Sequence, residues 1–93
     1  MHFGTDTKTQ KQVDVLVEEV KKFRIILYND DVNTFDFVIE SLVDVCGLDP
    51  IQAEQCTLLV HFKGKCDVKS GEYDFLEPMC TSLLEKGLNA EIE

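Results

Sequence analysis

Three glycines divide the most regularly patterned part of this sequence into helical segments, and they constrain the fold more than any other feature. Apolar residues recur at helical spacing from Phe35 to Cys46 and stop at Gly47. Two further segments stop in the same way at Gly64 and Gly87. Glycine is favoured just past a helix because the chain there takes a left-handed conformation that other residues adopt at a cost. The pattern therefore predicts three separate helices.

The residues before the first two predicted helices are of types that cap helices. Asn33 stands three residues before Asp36, an arrangement close to a capping box, so we expect Asn33 to cap the first helix. Asp49 followed by Pro50 predicts the N-cap and the first residue of the second helix, because proline is tolerated where no N–H is needed. Both helices are therefore bounded at each end.

The third helix contains a proline, which restricts where it can begin. We expect this helix to start at Asp74 or Glu77 and to end at Lys86, so that Pro78 falls in the first turn. Deeper in a helix, proline removes a backbone hydrogen bond and clashes with the preceding turn. Pro78 thus predicts a late start for the third helix.

Short segments with β character flank the helices. Phe23–Tyr28 is an apolar run that ends in a polar turn, Lys65–Gly71 follows the second helix, and residues 88–93 alternate between apolar and polar. The resulting order is β-α-α-β-α-β. We predict an α+β fold in which three helices pack on one face of a small antiparallel three-stranded sheet.

Composition and charge restrict the class of protein. The chain has 93 residues, enough for one small domain, and its 18 acidic and 9 basic residues give a net charge of −9. Nucleic-acid binding is disfavoured, because contacting phosphates requires a basic face. No apolar run approaches the ~20 residues of a membrane span, and no secretory signal is recognisable. We expect a cytoplasmic protein that binds neither membranes nor nucleic acid.

The beginning of the chain differs in character from the rest. Its first dozen residues are polar and lack any periodic apolar pattern, and residues 13–20 are ambiguous between a short strand and a loose helix. We expect residues 1–22 to form a flexible N-terminal extension and residues 23–93 to form the folded domain.

Four cysteines raise the question of a disulfide framework or a metal site. Cys46, Cys56, Cys66 and Cys80 are spaced by 10, 10 and 14 residues, and no pair has the C-x-x-C spacing of a zinc knuckle. Cys46 and Cys56 fall at apolar positions of the helical patterns, where a reduced cysteine acts as a small hydrophobe. We expect inert, packed thiols and no metal; a small metal-binding or redox protein is the alternative, and metal analysis of the purified protein tests it.

A dense polar cluster follows the first strand. In the register of a calcium-binding EF-hand loop, positions 1, 3, 5 and 12 are matched by Asn29, Asp31, Asn33 and Glu40. However, Thr34 replaces the glycine that the sharp turn of that loop requires, and the preceding segment is a predicted strand. Simple turn formation is the competing explanation, since Asn and Asp satisfy backbone groups at strand ends.

Three segments taken together give this cluster a further meaning: LYNDD at residues 27–31, FVIESL at residues 37–42 and LVHFKGK at residues 59–65. In this order and spacing they resemble the ClpS adaptor family, and the likeness extends over residues 22–93. The resemblance implies the α+β fold derived above. It also implies a non-catalytic adaptor that needs no cofactor, binds the first residue of N-degron substrates and delivers them to a ClpA- or ClpC-like AAA+ unfoldase, acting as a monomer.

The resemblance also implies which residues bind the substrate. Asn29, Asp30 and His61 match the ligands of the substrate α-amino group, with Asp31 and Asn33 in supporting positions. An α-amino group has a pKa near ~8 and is mostly cationic at neutral pH, so it requires converging hydrogen-bond acceptors. His61 meets that requirement with a neutral ring or through a bridging water.

An apolar pocket for a first side chain of Leu, Phe, Tyr or Trp is implied as well. By position its lining is Phe35, Val38, Thr57, Val60 and Leu88. Phe35 and Thr57 stand where the family commonly has methionine, which bears on the preference among those side chains. For Val38 and Leu88, core packing is an equally good explanation.

A second function class fits the same fold. An interaction domain without a degron pocket, similar to the C-terminal domain of the ribosomal stalk protein, accounts for the acidity and the helices. It leaves the combination of Asn29, Asp30 and His61 unexplained. In addition, residues 70–85 contain no Lys or Arg, although the family often has a basic residue there on its unfoldase-docking face.

Overall fold

The computed structural model describes residues 22–93, so the predicted extension, apart from Lys22, lies outside the described residues. The elements follow the predicted order: β1 (Phe23–Tyr28), α1 (Phe35–Cys46), α2 (Pro50–Lys63), β2 (Lys65–Gly71), α3 (Tyr73–Glu85) and β3 (Asn89–Ile92). The three strands form one sheet in the order β2-β1-β3, and both pairings are antiparallel. The predicted α+β fold is confirmed.

Strand β1 lies at the centre of the sheet and pairs along its length with both neighbours. Its last residue, Tyr28, lies opposite Lys65 of β2 and Asn89 of β3. At the other end, the N–H groups of Arg24 and Glu93 donate to each other's carbonyls over 2.9 and 2.8 Å. Both edge strands therefore begin beside the point where β1 ends.

The helices cover one face of the sheet, and the core lies between them. Ile25 and Leu27 of β1 point into this core, whereas Arg24 on the opposite face is exposed and lies 3.6 Å from the carboxylate of Asp67. Burying one large apolar side chain stabilises a fold by roughly 1.5–3 kcal/mol. The helix residues fully or nearly buried in the core are Leu42, Cys46, Ala53, Cys56, Val60, Leu76, Cys80 and Leu83.

The start of α1 differs from the prediction. Thr34 is the N-cap, and its Oγ1 accepts a hydrogen bond from the backbone N–H of Phe37 over 3.2 Å. The prediction that Asn33 caps this helix was wrong, because the Asn33 side chain is engaged by Asp30 and by the carbonyl of Gly87. Helix α2 begins as predicted, with the Asp49 carboxylate accepting from the N–H of Gln52 over 3.0 Å.

Helix α3 starts earlier than predicted. It begins at Tyr73, and the N–H groups of Phe75 and Leu76 both donate to the carbonyl of Glu72 over 3.1 Å. Pro78 is therefore inside the helix. The prediction that it falls in the first turn was wrong. Because proline has no N–H, the carbonyl of Asp74, four residues earlier, lacks its helical hydrogen-bond donor.

Candidate functional site

The antiparallel pairing brings three distant segments to one end of the sheet. The chain leaves β1 at Tyr28 and enters the turn at residues 29–33. Since β2 and β3 begin opposite Tyr28, the residues just before those strands must flank this turn. These residues are the C-terminal end of α2 on one side and residues 86–88 on the other.

Two hydrogen bonds join the turn at residues 29–33 to these flanking segments. The backbone N–H of Asn29 donates to the carbonyl of Gly64 over 3.0 Å, at the end of α2. The side-chain amide of Asn33 donates to the carbonyl of Gly87 over 2.9 Å, just before β3. Asn33 thus links the turn after β1 to the segment before β3. This is a larger structural role than the helix cap expected for it.

The Asp30 carboxylate organises the turn. Its Oδ1 accepts from the N–H of Val32 over 2.9 Å and from the N–H of Asn33 over 3.0 Å, and the Asn33 amide donates to both carboxylate oxygens over 3.2 and 3.1 Å. Burial by itself raises the pKa of Asp30, but the hydrogen bonds from Asn33 and Val32 outweigh burial and lower the pKa below its usual value. The carboxylate is therefore ionised at neutral pH, and its Oδ2 retains capacity for another donor.

The turn and helix α2 enclose a surface cavity between them, which we call the recess. It opens to solvent. Nine of the ten candidate site residues line it, and exposed Asp31 does not. The complete lining is Leu27, Tyr28, Asn29, Asp30, Asn33, Phe35, Val38, Thr57, Val60, His61 and Leu88.

The inner wall of the recess is apolar. Thr57, Val60 and Leu88 are buried, with exposed fractions of 3%, 7% and 3%. The Thr57 hydroxyl donates to the carbonyl of Ala53 over 2.7 Å, so its polar group is satisfied within α2. Val38 and Leu88 also pack with the core, so they line the recess and stabilise the fold at once.

Aromatic rings line the mouth of the recess. The rings of Phe35 and His61 meet edge to face, with their centroids 5.2 Å apart, and His61 contacts Phe62 in the same way at 4.8 Å. All three side chains are exposed to solvent. His61 lines the recess together with Asn29, Asp30 and Asn33 of the turn.

Sequence reasoning overlooked several contributors to this site. Leu27 and Tyr28 line the recess, and Phe62 extends its aromatic rim. The carbonyls of Gly64 and Gly87 hold the turn in place. Tyr28 directly precedes the polar cluster, so its position could have indicated that it lines the site. The role of a backbone carbonyl cannot be recognised from a sequence.

Residues 22–93 contain neither a metal-ligand cluster nor a membrane-spanning helix. Within residues 22–93, no three metal-ligating side chains of the His, Cys, Asp or Glu type are grouped as a metal site requires. Over the same residues, none of the helices combines the length and apolar character needed to cross a membrane.

The architecture and the recess together define a small α+β binding domain with one polar and one apolar wall. The family model for the ATP-dependent Clp protease adaptor protein ClpS matches residues 18–91 of this chain. The chain therefore belongs to the ClpS family of Clp protease adaptors.

Individual relatives agree with this assignment. The ClpS adapter protein of Wolinella succinogenes is 31% identical over 83 residues, which cover 89% of this chain and 81% of the relative. That of Oleidesulfovibrio alaskensis is 39% identical over 70 residues, covering 69% of this chain and 67% of the relative.

A solved structure shares the fold. Agrobacterium tumefaciens ClpS2 bound to L-phenylalaninamide superimposes with a TM-score of 0.68 at 23% identity, covering 78% of this chain and 98% of that one.

Proposed function

We propose that this protein is a non-catalytic adaptor that binds the free N-terminal residue of its substrates when that residue is Leu, Phe, Tyr or Trp. It then delivers these substrates to a Clp-family AAA+ unfoldase for degradation. The observation that carries the proposal is one recess with an ionised carboxylate on one wall and apolar side chains on the other. The ligand in the related Agrobacterium structure, an amino-acid amide, also has a free α-amino group and an aromatic side chain.

The polar wall suits a protonated α-amino group. Such a group has a pKa near ~8, so it carries a positive charge and three N–H donors at neutral pH. Asp30 supplies a negative charge, Asn29 a side-chain carbonyl, and His61 a ring nitrogen when neutral. Charge-assisted hydrogen bonds of this kind contribute about 1.5–3 kcal/mol each.

The apolar wall suits one large side chain. A Leu or Phe side chain that enters the recess would contact Thr57, Val60 and Leu88, with Phe35 at the mouth. Burying such a side chain contributes roughly 1.5–3 kcal/mol. After the cost of association is subtracted, both walls together support binding in the micromolar range, which permits release after delivery.

Peptides that differ only at the first residue test the proposal. We expect fluorescent peptides beginning with Leu, Phe, Tyr or Trp to bind, and their N-acetylated forms to lose at least about tenfold in affinity, because acetylation removes the charge. Fluorescence anisotropy measures both. Equal binding of free and acetylated peptides would contradict the proposal and favour an interaction domain that lacks a degron pocket.

A pair of matched variants tests the role of Asp30. Asp30→Asn removes the charge but keeps an oxygen for the turn, and it should weaken binding of free peptides about tenfold or more. Asp44→Asn makes the same chemical change at an exposed position of α1 outside the recess and should bind within about twofold of the unmodified protein. Thermal unfolding followed by circular dichroism verifies that both variants fold. Equal affinities for the two variants would exclude Asp30 as a ligand.

A further inference from the structure

Two cysteines that are ten residues apart in the sequence meet in the structure. The Sγ of Cys56 in α2 lies 2.7 Å from the Sγ of Cys66 in β2. Both sulfurs also approach the carbonyl of Asp67, at 3.9 and 3.3 Å. A disulfide needs an S–S separation of ~2.05 Å, so a shift of well under 1 Å would join the two atoms.

The turn between α2 and β2 explains this proximity. Gly64 ends α2 with a left-handed φ of 94°, and its N–H donates to the carbonyl of Val60 over 2.9 Å. This single residue reverses the chain, so that β2 runs back along α2. Cys66, the second residue of β2, therefore returns to the helix turn that contains Cys56.

The thiol pair is accessible from solvent through a second surface cavity. Cys66 is half-buried and Cys56 is buried, and both line an open surface depression. None of its lining residues belongs to the recess described above. The lining is Leu48, Gln52, Gln55, Cys56, Leu59, Cys66, Asp67 and Val68.

The other two cysteines differ in their surroundings. Cys46 and Cys80 are buried in the core and do not line this depression. Burial raises the pKa of the Cys46 thiol to about 11 and also raises that of Cys80, so both stay protonated and weakly nucleophilic at neutral pH. Among the four thiols, Cys66 alone is not buried and Cys56 lies beside it, so we expect selective chemistry at this pair.

We propose that Cys56 and Cys66 form a dithiol site that a low-molecular-weight disulfide converts into an intrachain disulfide. The Cys66 thiolate, the more exposed of the two, attacks one sulfur of the external disulfide and displaces one thiolate, leaving a mixed disulfide on Cys66. Cys56 then loses its proton and attacks the Cys66 sulfur, displacing the second external thiolate. Two protein thiols are oxidised and one external disulfide is reduced to two thiols.

The order of these steps follows from the burial of the two thiols. Burial and the contact with Cys66 raise the pKa of the Cys56 thiol, so Cys56 is a poor first nucleophile. Once a mixed disulfide exists at Cys66, however, Cys56 is already adjacent and its reaction is intramolecular. The closed bond encloses residues 56–66, which include Val60 and His61 of the recess, and fixes the end of α2 to the sheet.

Oxidised glutathione is the probe for this site. The full chain is equilibrated with it under native conditions, denatured in the presence of N-ethylmaleimide, and mapped by mass spectrometry after proteolysis. We expect two of the four thiols to be lost, a cross-linked peptide that joins Cys56 to Cys66, and alkylation of Cys46 and Cys80. Retention of all four thiols, or a cross-link that involves Cys46 or Cys80, would overturn the proposal.

Single variants test the order of the steps. Cys56→Ser should stop the reaction at a stable glutathione adduct on Cys66, whereas Cys66→Ser should leave Cys56 unmodified. Cys80→Ala is the control and should form the same cross-link as the unmodified chain. An adduct on Cys56 in the Cys66→Ser variant would contradict the assigned roles.

A trivalent arsenical gives a second measurement that involves no oxidation. Phenylarsine oxide condenses with two neighbouring thiols to form two As–S bonds and one water. The unmodified chain should bind one equivalent, and Cys56→Ser and Cys66→Ser should each abolish that binding. Undiminished binding in either variant would exclude this pair as the dithiol site.

Discussion

Asp30 combines a structural and a proposed functional role in one side chain. Its Oδ1 holds the turn through the N–H groups of Val32 and Asn33, and its charge faces the recess. From the sequence, turn formation and ligand binding are competing explanations for the cluster at residues 29–31. Here the geometry allows both, because a carboxylate has more acceptor sites than the turn uses.

The lowered pKa of Asp30 predicts a pH-dependent stability. Its folded-state pKa lies below the ordinary value of 3.8, so the ionised carboxylate stabilises the fold above about pH 4, and this contribution is lost as the pH falls through the folded-state pKa. The free energy of unfolding of Asp30→Asn should therefore fall below that of the unmodified protein at pH 7, and the difference should narrow toward pH 2. Urea denaturation across this range measures it. A difference that stays constant with pH would contradict the prediction.

At the scale of single elements, α2 and α3 differ in the position of their proline. Pro78 interrupts the hydrogen bonding inside α3, whereas Pro50 is the first residue of α2, where no N–H is required. The helical apolar pattern and the buried positions Leu76, Cys80 and Leu83 hold α3 together in spite of this proline. Tertiary packing thus overrides a local preference.

Replacing each proline by alanine gives a matched pair of variants. Pro78→Ala supplies an N–H for the carbonyl of Asp74 and should raise the free energy of unfolding by about 1–2 kcal/mol, after allowance for the greater freedom of the unfolded chain. Pro50→Ala should change it by less than about 1 kcal/mol, in the destabilising direction. Urea denaturation at neutral pH compares them. If the two substitutions have equal effects, the interior position of Pro78 carries no cost.

Helix α1 has an acidic stripe on its exposed face. Asp36, Glu40 and Asp44 are each four residues apart, so neighbouring carboxylates repel one another along the helix. Glu40→Lys replaces both repulsions with attractions and should stabilise the fold by about 0.5–1 kcal/mol at low salt.

The control for this substitution is Glu54→Lys on α2. Glu54 is also exposed, but no acidic residue lies three or four positions from it, so its replacement should have a smaller effect. Denaturation at low and at high salt measures both variants. A stabilisation by Glu40→Lys that persists at 1 M salt would contradict an electrostatic origin, because the screening length there is only ~3 Å.

At the scale of the whole molecule, the element order followed from the sequence, but its assembly did not. The glycine positions and the apolar spacing predicted three helices and three strands. Most of the predicted boundaries lie within a residue or two of the observed ones. The central place of β1 was not predicted, because alternation along a strand does not reveal its neighbours. The early start of α3 was missed because Pro78 was assumed to lie in a first turn.

For the candidate site as well, the residues were predicted but the contacts between them were not. The resemblance to the ClpS family implied nine residues that the fold brings to the recess. The link from Asn33 to Gly87 and the contact between Cys56 and Cys66 depend on how α2, β2 and β3 are arranged around β1. Spacing in the sequence contains no information about such tertiary contacts.

Delivery to the unfoldase is proposed to need a part of the chain beyond the folded domain. Every residue found to line the recess belongs to the described residues 22–93, so a chain that lacks residues 1–20 should bind N-degron peptides within about twofold of the full chain. The family resemblance indicates that delivery requires this segment. The truncated chain should therefore fail to accelerate degradation of a model substrate by the Clp protease. Unchanged degradation kinetics would contradict this prediction.

The hydrogen bond from Asn33 to Gly87 spans 54 positions of the sequence. It forms only when the turn after the first strand and the segment before the last strand are both in place. Small domains of this size usually unfold in one cooperative step. Under the proposed function, we therefore expect only fully folded copies of this protein to present a complete recess to a client.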